Sequence, residues 1–211
     1  MSNSHFYAML SRMKYINRWG LMRNTRNENL SEHSLEVAFI AHALAIISKH
    51  RLNIDISPEK VAVSAMFHDT SEIITGDLPT PIKYYNPDIK DAYKKIESIA
   101  ENELVSMLPD DFKDEFISVY NIDYYSQKLI KAADKLSALI KCIEELNMGN
   151  KEFIKAKKST EESLDMLELK EVEIFKTEFL GSFYLSLDEQ NGVSKWTKKK
   201  SNPGLYKHVL P

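Results

Sequence analysis

Apolar side chains recur at steps of three and four residues along most of this 211-residue chain. In the first segment, about residues 4–16, this spacing connects Phe6, Leu10, Met13 and Ile16. Such a period places the side chains on one face of an α-helix, whereas the two-residue alternation of a β-strand is hard to find. The sequence therefore predicts an all-α fold, built as a helical bundle.

The helix expected after Ser31, its candidate N-cap, is apolar on nearly all sides. A helix of that kind belongs at the centre of a bundle. Another helix is expected to begin with Ser57 as cap and Pro58 in the first turn, and to run to about Ile74.

A later long helix is expected to be capped by Ser126 and to end near Gly149. No linker divides the chain, so residues 1–189 are expected to form one domain with a metal site between buried helices. Residues 190–211 are basic and turn-prone and are interpreted as an extension of unknown role.

An ionisable pair, His68-Asp69, interrupts the apolar run VAVSAMFHDTSEII. Burying such groups is costly unless something compensates their charge, and a bound metal ion would do so. His33 opens an earlier apolar helix, and Asp134 interrupts a later one. Two imidazoles and two carboxylates suit Mn²⁺, Co²⁺, Fe²⁺, Ni²⁺ or Zn²⁺ better than Mg²⁺ or Ca²⁺. We therefore expect these four side chains to bind one divalent transition ion.

Glu72 follows His68 by four residues and is expected to share its helix face. It could orient or deprotonate a water whose pKa a bound ion lowers from near 16 to roughly 7. A phosphate ester would also need cationic groups for its oxygens. The candidate cations are Arg18, Arg23, Arg26 and Lys83.

Each of these residues has an ordinary structural explanation when taken alone. Arg23 and Arg26 could lie on a solvated surface, Trp19 could belong to the core, and Asp77 before Leu-Pro is a common turn former. Histidines outside the set are not expected to bind metal, although His42 lies in a helix expected to be buried. The combination of donors, each in an apolar helical context, is what favours a hydrolytic metal site.

Composition excludes several classes of protein. The net charge of −3 suggests neither a nucleic-acid binder nor an acidic tail. The single cysteine, Cys142, excludes an intramolecular disulfide framework and is expected to be a buried, inert thiol. The N-terminus lacks the apolar region of a signal peptide, and no stretch is expected to reach the roughly 18–20 residues of a membrane span. We expect a soluble, cytoplasmic protein.

The pattern H…HD…D in an all-α chain resembles the HD-domain metal-dependent phosphohydrolases. The segments RWGLMRNTRNENLSEHSLEVA, AMFHDTSEIITGDLPTPIKYYN and IKAADKLSALIKCIEELNMGN resemble, more narrowly, the bacterial 5′-deoxynucleotidases, from about Ser4 to Glu189. The resemblance implies hydrolysis of 2′-deoxyribonucleoside 5′-monophosphates, one divalent metal with cobalt favoured, and a homodimer. It also implies roles for single residues: the metal ligands His33, His68, Asp69 and Asp134, the catalytic Glu72, and the substrate contacts Arg18, Trp19 and Asp77.

Other functions stay open at this point. The chain could be a catalytically inactive HD module that binds a nucleotide, or a phosphohydrolase acting on another nucleotide phosphoester. Glu72 argues against the first, because a sensor needs no carboxylate to activate water. The few basic residues argue against a triphosphate substrate, and the net charge argues against nucleic-acid binding by the Lys-rich tail.

Overall fold

The computed structural model describes residues 4–83 and 85–190. Over these residues the fold is all-α, as predicted. Within the same residues, one isolated β-bridge joins Asn17 and Asn29. Short 3₁₀ segments follow α1, precede α9 and follow α10. The helices are α1 (Phe6–Leu10), α2 (Leu30–Arg51), α3 (Pro58–Met66), α4 (Glu72–Thr75), α5 (Thr80–Lys83), α6 (Pro87–Ser106), α7 (Asp110–Tyr120), α8 (Tyr124–Asn147), α9 (Ile154–Asp165) and α10 (Lys170–Glu178).

Helix α2 lies at the centre of the bundle and packs against α3, α8 and α10. Leu44 on α2 and Leu136 and Leu139 on α8 are fully buried, and each such side chain contributes about 1.5–3 kcal/mol. Cys142 on α8 is also fully buried, as predicted. The two longest helices are therefore held together by a continuous apolar core.

Helix α2 departs from the expectation that no stretch reaches the length of a membrane span. By length and composition alone, α2 could cross a membrane, but 56% of its most apolar stretch is buried inside the protein. The core helix of a soluble protein has the same composition, and α2 carries the buried polar residues His33, Ser34 and Ser48. We interpret α2 as a core helix.

Two predicted helix caps are wrong by a few residues. Asn29, not Ser31, caps α2, in a capping box with Glu32. Asp123, not Ser126, caps α8, and it accepts a hydrogen bond from the Ser126 amide. In both cases a carboxylate or amide side chain just upstream reaches the free backbone N–H groups.

The predicted start of α3 at Ser57 and Pro58 is confirmed, but its predicted end is not. The α-helix stops at Met66, and backbone hydrogen bonds of the i to i−3 kind continue through residues 67–71. Thr70 Oγ1 reinforces this tighter turn by donating to the Phe67 carbonyl at 2.8 Å. The His68-Asp69 pair therefore lies in a turn between two helices, not within one helix.

The predicted basic extension lies almost entirely outside the described residues. At the other end of the chain, the helix expected over about 4–16 is α1 followed by a 3₁₀ turn over Ser11–Tyr15. Phe6 at its start packs with Leu104 and Leu108 in a second, smaller apolar cluster. That cluster fixes the chain end that leads into the site.

Candidate metal centre and active site

The four predicted metal ligands come together although they are far apart in the chain. His33 lies in the first turn of α2, His68 and Asp69 lie in the turn after α3, and Asp134 lies midway along α8. His33 Nε2 is 3.2 Å from Asp134 Oδ1 and 3.5 Å from Asp69 Oδ2, and His68 Nε2 is 3.1 Å from the same Asp69 oxygen. The packing of α3 and α8 on α2 produces this convergence.

The donor set fits a divalent cation. His33, His68 and Asp134 each offer one ligand atom within 4.8 Å of the others, and Asp69 lies between the two imidazoles. His68 Nδ1 is 2.8 Å from the Ala65 carbonyl, so this nitrogen donates and Nε2 keeps its lone pair. Both buried Nε2 atoms lack a hydrogen-bond partner, which is the state expected of nitrogens that bind a metal.

His33 is oriented by a further hydrogen-bonded chain. Its Nδ1 lies 3.1 Å from Ser137 Oγ, and Ser137 Oγ donates to Glu36 Oε2 at 2.6 Å. Glu28 Oε1 is a second acceptor, 3.3 Å from Nδ1. These acceptors hold a proton on Nδ1 and direct Nε2 towards the two aspartates.

The charged groups of the cluster shift one another's pKa values. Burial and the Arg18 charge lower the pKa of His33, but the nearby carboxylates of Asp134, Asp69 and Glu28 outweigh them and raise it to about 10. Burial opposes ionisation of Asp134, yet the adjacent His33 ring and the Arg18 charge lower its pKa to about 2. Burial opposes ionisation of Asp69 as well, but the two neighbouring imidazoles hold its pKa well below its ordinary value. Both carboxylates are therefore ionised beside the point where a cation would lie.

Arg18 lies directly against the predicted ligands. Its side chain is 13% exposed, with Nη1 3.4 Å from Asp69 Oδ2 and Nη2 3.8 Å from Asp134 Oδ1. Burial lowers the pKa of Arg18, but the charges of Asp134, Asp69 and Glu28 raise it above its ordinary value. A permanent cation therefore borders the cluster.

Trp19 follows Arg18 in a left-handed conformation, with φ of 59°. Its ring centroid lies 5.4 Å from that of Phe153, and its Nε1 donates to Glu28 Oε2 at 3.0 Å. The indole is half-buried, so one part packs on the core while another part can contact a ligand.

Glu72, the predicted catalytic residue, is 4% exposed and begins the short helix α4. Its Oε2 has no hydrogen-bond partner, and its Oε1 lies 3.9 Å from Lys83 Nζ. Burial and the charges of Asp69 and Asp77 raise the pKa of Glu72 to about 8. A buried carboxylate with a free oxygen and a raised pKa is suited to accept a proton.

Asp77 is half-buried and lies at the start of the proline-rich loop, directly after Gly76. Gly76 has a φ of 74°, which glycine adopts without strain, and this turn separates α4 from the loop. Burial raises the pKa of Asp77, while the Arg18 charge lowers it. Asp77 therefore shares the electrostatic environment of Arg18 and Glu72.

Two candidate arginines lie elsewhere. Arg23 is 93% exposed and pairs with Glu152 at 2.7 Å, while Arg26 is 72% exposed and pairs with Glu32. The alternative of a solvated surface is the correct one for both. His42 is absent from the metal-binding group found among the described residues.

Sequence reasoning missed several residues around the site. Glu28 contacts three site residues, Ser137 supports His33, and Glu97 holds Lys83 at 2.7 Å. Glu28 and Glu97 lie in polar stretches, where a carboxylate is ordinary, so nothing in their spacing marks them. The one available signal was that Glu28 is an acidic residue shortly before His33, which is compatible with a partner for the imidazole.

Comparisons with known proteins identify the family of this chain. A family model described as 5′-deoxynucleotidase YfbR-like matches residues 5–183. Proteins named 5′-deoxynucleotidase from Yersinia pestis (strain Pestoides F) and Yersinia pseudotuberculosis (strain YPIII) are each 53% identical over 189 residues, covering 88% of this chain and 96% of the relative.

Solved structures share the fold. A Listeria innocua HD-domain phosphohydrolase aligns with a TM-score of 0.74 at 20% identity, over 93% of this chain and 97% of that one. A cyanophage S-2L HD phosphohydrolase, solved with dA and one catalytic Zn²⁺ ion, aligns with a TM-score of 0.57 at 19% identity, over 82% and 94%. From its sequence and its helical architecture together, this chain belongs to the YfbR-like 5′-deoxynucleotidase family.

Proposed function

We propose a mechanism by which this 5′-deoxynucleotidase hydrolyses 2′-deoxyribonucleoside 5′-monophosphates to deoxynucleoside and phosphate. The observation that carries the proposal is one arrangement of atoms. Two imidazole nitrogens without partners face two carboxylates, a buried arginine borders them, and a buried glutamate has a free oxygen. This arrangement combines a cation site, a phosphate-binding group and a proton acceptor.

The proposed metal ligands are His33, His68, Asp69 and Asp134. A mixed nitrogen and oxygen set favours one divalent transition ion, with Co²⁺ or Mn²⁺ preferred and Zn²⁺, Ni²⁺ or Fe²⁺ as other candidates. When bound, such an ion supplies positive charge that polarises a phosphoryl oxygen and lowers the pKa of a water molecule.

Arg18 is proposed to bind the 5′-phosphate. Its guanidinium is a fixed cation beside the ligand carboxylates, and it can donate two parallel hydrogen bonds to phosphate oxygens. Trp19 and Asp77 are proposed to shape the sugar and base pocket. Exclusion of ribonucleotides requires that this pocket crowd the 2′-hydroxyl or deny it a partner.

Glu72 is proposed to take a proton from the attacking water. The water oxygen forms a bond to phosphorus, the bond from phosphorus to the 5′-oxygen breaks in line, and the deoxynucleoside leaves with a proton from solvent or a nearby acid. Glu72 must be ionised to act. Burial and the charges of Asp69 and Asp77 oppose its ionisation, while the charges of Lys83 and Arg18 favour it.

Phosphate release tests the proposed function. Purified protein is assayed with deoxy and ribo 5′-monophosphates in the presence of Mn²⁺, Co²⁺, Zn²⁺ or no added ion. Release from dAMP or dTMP, none from AMP, and arrest by a chelator are expected. Saturable dAMP binding with no release under any metal would instead favour an inactive nucleotide-binding module.

The assembly and the compartment are part of the same proposal. We propose a cytoplasmic homodimer that binds a small-molecule substrate and neither nucleic acid nor membrane. Light scattering on the purified protein is expected to give twice the 24.3 kDa chain mass, and a monomer at working concentration would contradict it.

A further inference from the structure

We propose that Glu28 is a positioning residue that couples the metal ligand His33 to the substrate-contacting Arg18 and Trp19. The inference rests on the roles given to those residues in the proposed function. It adds a prediction of its own, that one carboxylate next to the site sets both metal affinity and substrate affinity.

The carboxylate of Glu28 contacts three site residues at once. Oε1 lies 3.3 Å from His33 Nδ1 and 3.6 Å from Arg18 Nε, and Oε2 accepts a hydrogen bond from Trp19 Nε1 at 3.0 Å. The side chain is 13% exposed, so these partners are poorly replaced by water. A single rigid group therefore connects the imidazole, the guanidinium and the indole.

All three partners present an N–H group, and this explains why an acid is needed at position 28. A carboxylate offers acceptors on both oxygens, whereas an amide offers one acceptor and one donor. If Glu28 is replaced by glutamine, either Trp19 or the pair His33 and Arg18 must face an NH₂ group. The charge that holds Arg18 is lost as well.

The backbone fixes Glu28 opposite its partners. The Arg18 amide donates to the Glu28 carbonyl at 2.9 Å, and Asn17 and Asn29 pair as an antiparallel bridge. The segment between them folds back on itself and contains Trp19 in its left-handed conformation. The Glu28 carboxylate thus connects the two ends of this segment to the first turn of α2.

His33 has an independent support that separates the two effects. Ser137 Oγ also accepts a hydrogen bond from His33 Nδ1 and donates one to Glu36 Oε2, without contact to Arg18 or Trp19 in the described residues. Loss of Ser137 should therefore weaken metal binding alone. Loss of Glu28 should weaken metal binding and substrate binding together.

The test compares Glu28→Gln, Ser137→Ala and a matched control in the full-length protein. Glu144→Gln is the control, because the exposed Glu144 lines the same outer recess, of about 320 Å³, as Glu28. Two quantities are measured for each variant: the Co²⁺ dissociation constant, by competition with a chelating dye, and the KM for dAMP at saturating Co²⁺.

For Glu28→Gln, the Co²⁺ dissociation constant is expected to rise about 10- to 100-fold, and the KM about 10-fold, the equivalent of one charge-assisted hydrogen bond. Ser137→Ala should raise the Co²⁺ dissociation constant but not the KM for dAMP. Glu144→Gln should change neither constant. The proposal is overturned if Glu28→Gln leaves either constant within twofold of the wild-type value, since coupling requires both to move.

A second variant keeps the test open if Glu28→Gln folds poorly. Trp19→Phe removes the Nε1 donor while Glu28 and His33 remain, so the KM should rise while the Co²⁺ dissociation constant stays within twofold. A large loss of Co²⁺ affinity in this variant would contradict the proposal. If wild-type protein releases no phosphate, the proposed function fails, yet the Co²⁺ constants still report whether Glu28 supports His33.

Discussion

Arg18 Nη1 lies 3.4 Å from Asp69 Oδ2, so the proposed phosphate-binding cation rests against a proposed metal ligand. Two positive charges would then compete for the same carboxylate when an ion is bound. A substrate phosphate would offer the guanidinium new acceptors in place of that carboxylate. This relationship connects metal binding to phosphate binding and leads to the first prediction.

Replacement of Arg18 by alanine should separate substrate binding from metal binding. We expect kcat/KM for dAMP to fall by about 10²- to 10³-fold, as for loss of a charge-stabilising donor. Co²⁺ should bind at least as tightly as in wild-type protein, because a repelling charge has been removed. Steady-state kinetics and a dye-competition titration measure the two effects.

Arg23→Ala is the matched control for Arg18→Ala, since Arg23 is 93% exposed and pairs with Glu152 away from the site. In Arg23→Ala, kcat/KM for dAMP and the Co²⁺ dissociation constant should both stay within twofold of the wild-type values. Full activity in Arg18→Ala would rule out the phosphate role of Arg18.

Glu72→Ala should bind metal and lose turnover. Removal of a general base lowers kcat by about 10²- to 10⁴-fold, while the four ligands stay in place. Single-turnover phosphate release measures the chemical step, and Co²⁺ titration measures the site. Glu103→Ala, an exposed residue on α6, is the control; a Glu72 variant that retains wild-type turnover would exclude the proposed role.

Metal removal should reduce both activity and stability. A ligand present at 100 times its dissociation constant stabilises the folded state by about 2.7 kcal/mol, so chelation should lower the unfolding temperature by several degrees. Added Co²⁺ or Mn²⁺ should restore both properties in wild-type protein but not in Asp134→Ala. An unfolding temperature that does not respond to metal would contradict the site.

Glu145 should make stability depend on pH. Its carboxylate accepts from the Thr25 and Arg26 amides and pairs with Lys141, anchoring the segment before α2 to α8. Burial opposes its ionisation, but hydrogen bonds, first from Lys141 and Asn150, lower its pKa from 4.5 to about 2.

Because the folded-state pKa of Glu145 lies below the unfolded-state value, its stabilisation is fully present above pH 4.5. It is lost as the pH falls towards 2, and amounts to roughly 3 kcal/mol. The difference in urea unfolding free energy between wild-type and Glu145→Gln should therefore shrink over that range. The adjacent, exposed Glu144→Gln should show no such trend, and a constant difference for Glu145→Gln would argue against this linkage.

Cys142 should resist alkylation in the folded protein. Its side chain is fully buried, and burial raises the pKa of its thiol to about 12, so little thiolate forms at neutral pH. Mass spectrometry after iodoacetamide treatment should show no adduct in native buffer and complete labelling in urea. Rapid native labelling would mean that α8 opens readily.

The sequence predicted the helical class and the start of α3, which the structure confirms, because each depends on local pattern. It also indicated four candidate metal donors from residue chemistry, and these side chains lie close together. It placed two helix starts a few residues late, since Asn29 and Asp123 also have side chains that can cap a helix. It extended α3 through residues 67–71, because apolar spacing cannot distinguish an α-helix from a run of tighter turns.

The sequence by itself determined which side chains are available as metal donors and proton acceptor. They are ionisable residues in apolar segments, where such residues are uncommon: His33, His68, Asp69, Asp134 and Glu72. The tertiary structure alone decided how those donors meet. The turn after α3 brings His68 and Asp69 to a common point, and Glu28 contacts His33, Arg18 and Trp19. The physical reason is that contacts between distant segments depend on how the helices pack, and local sequence spacing does not predict that packing.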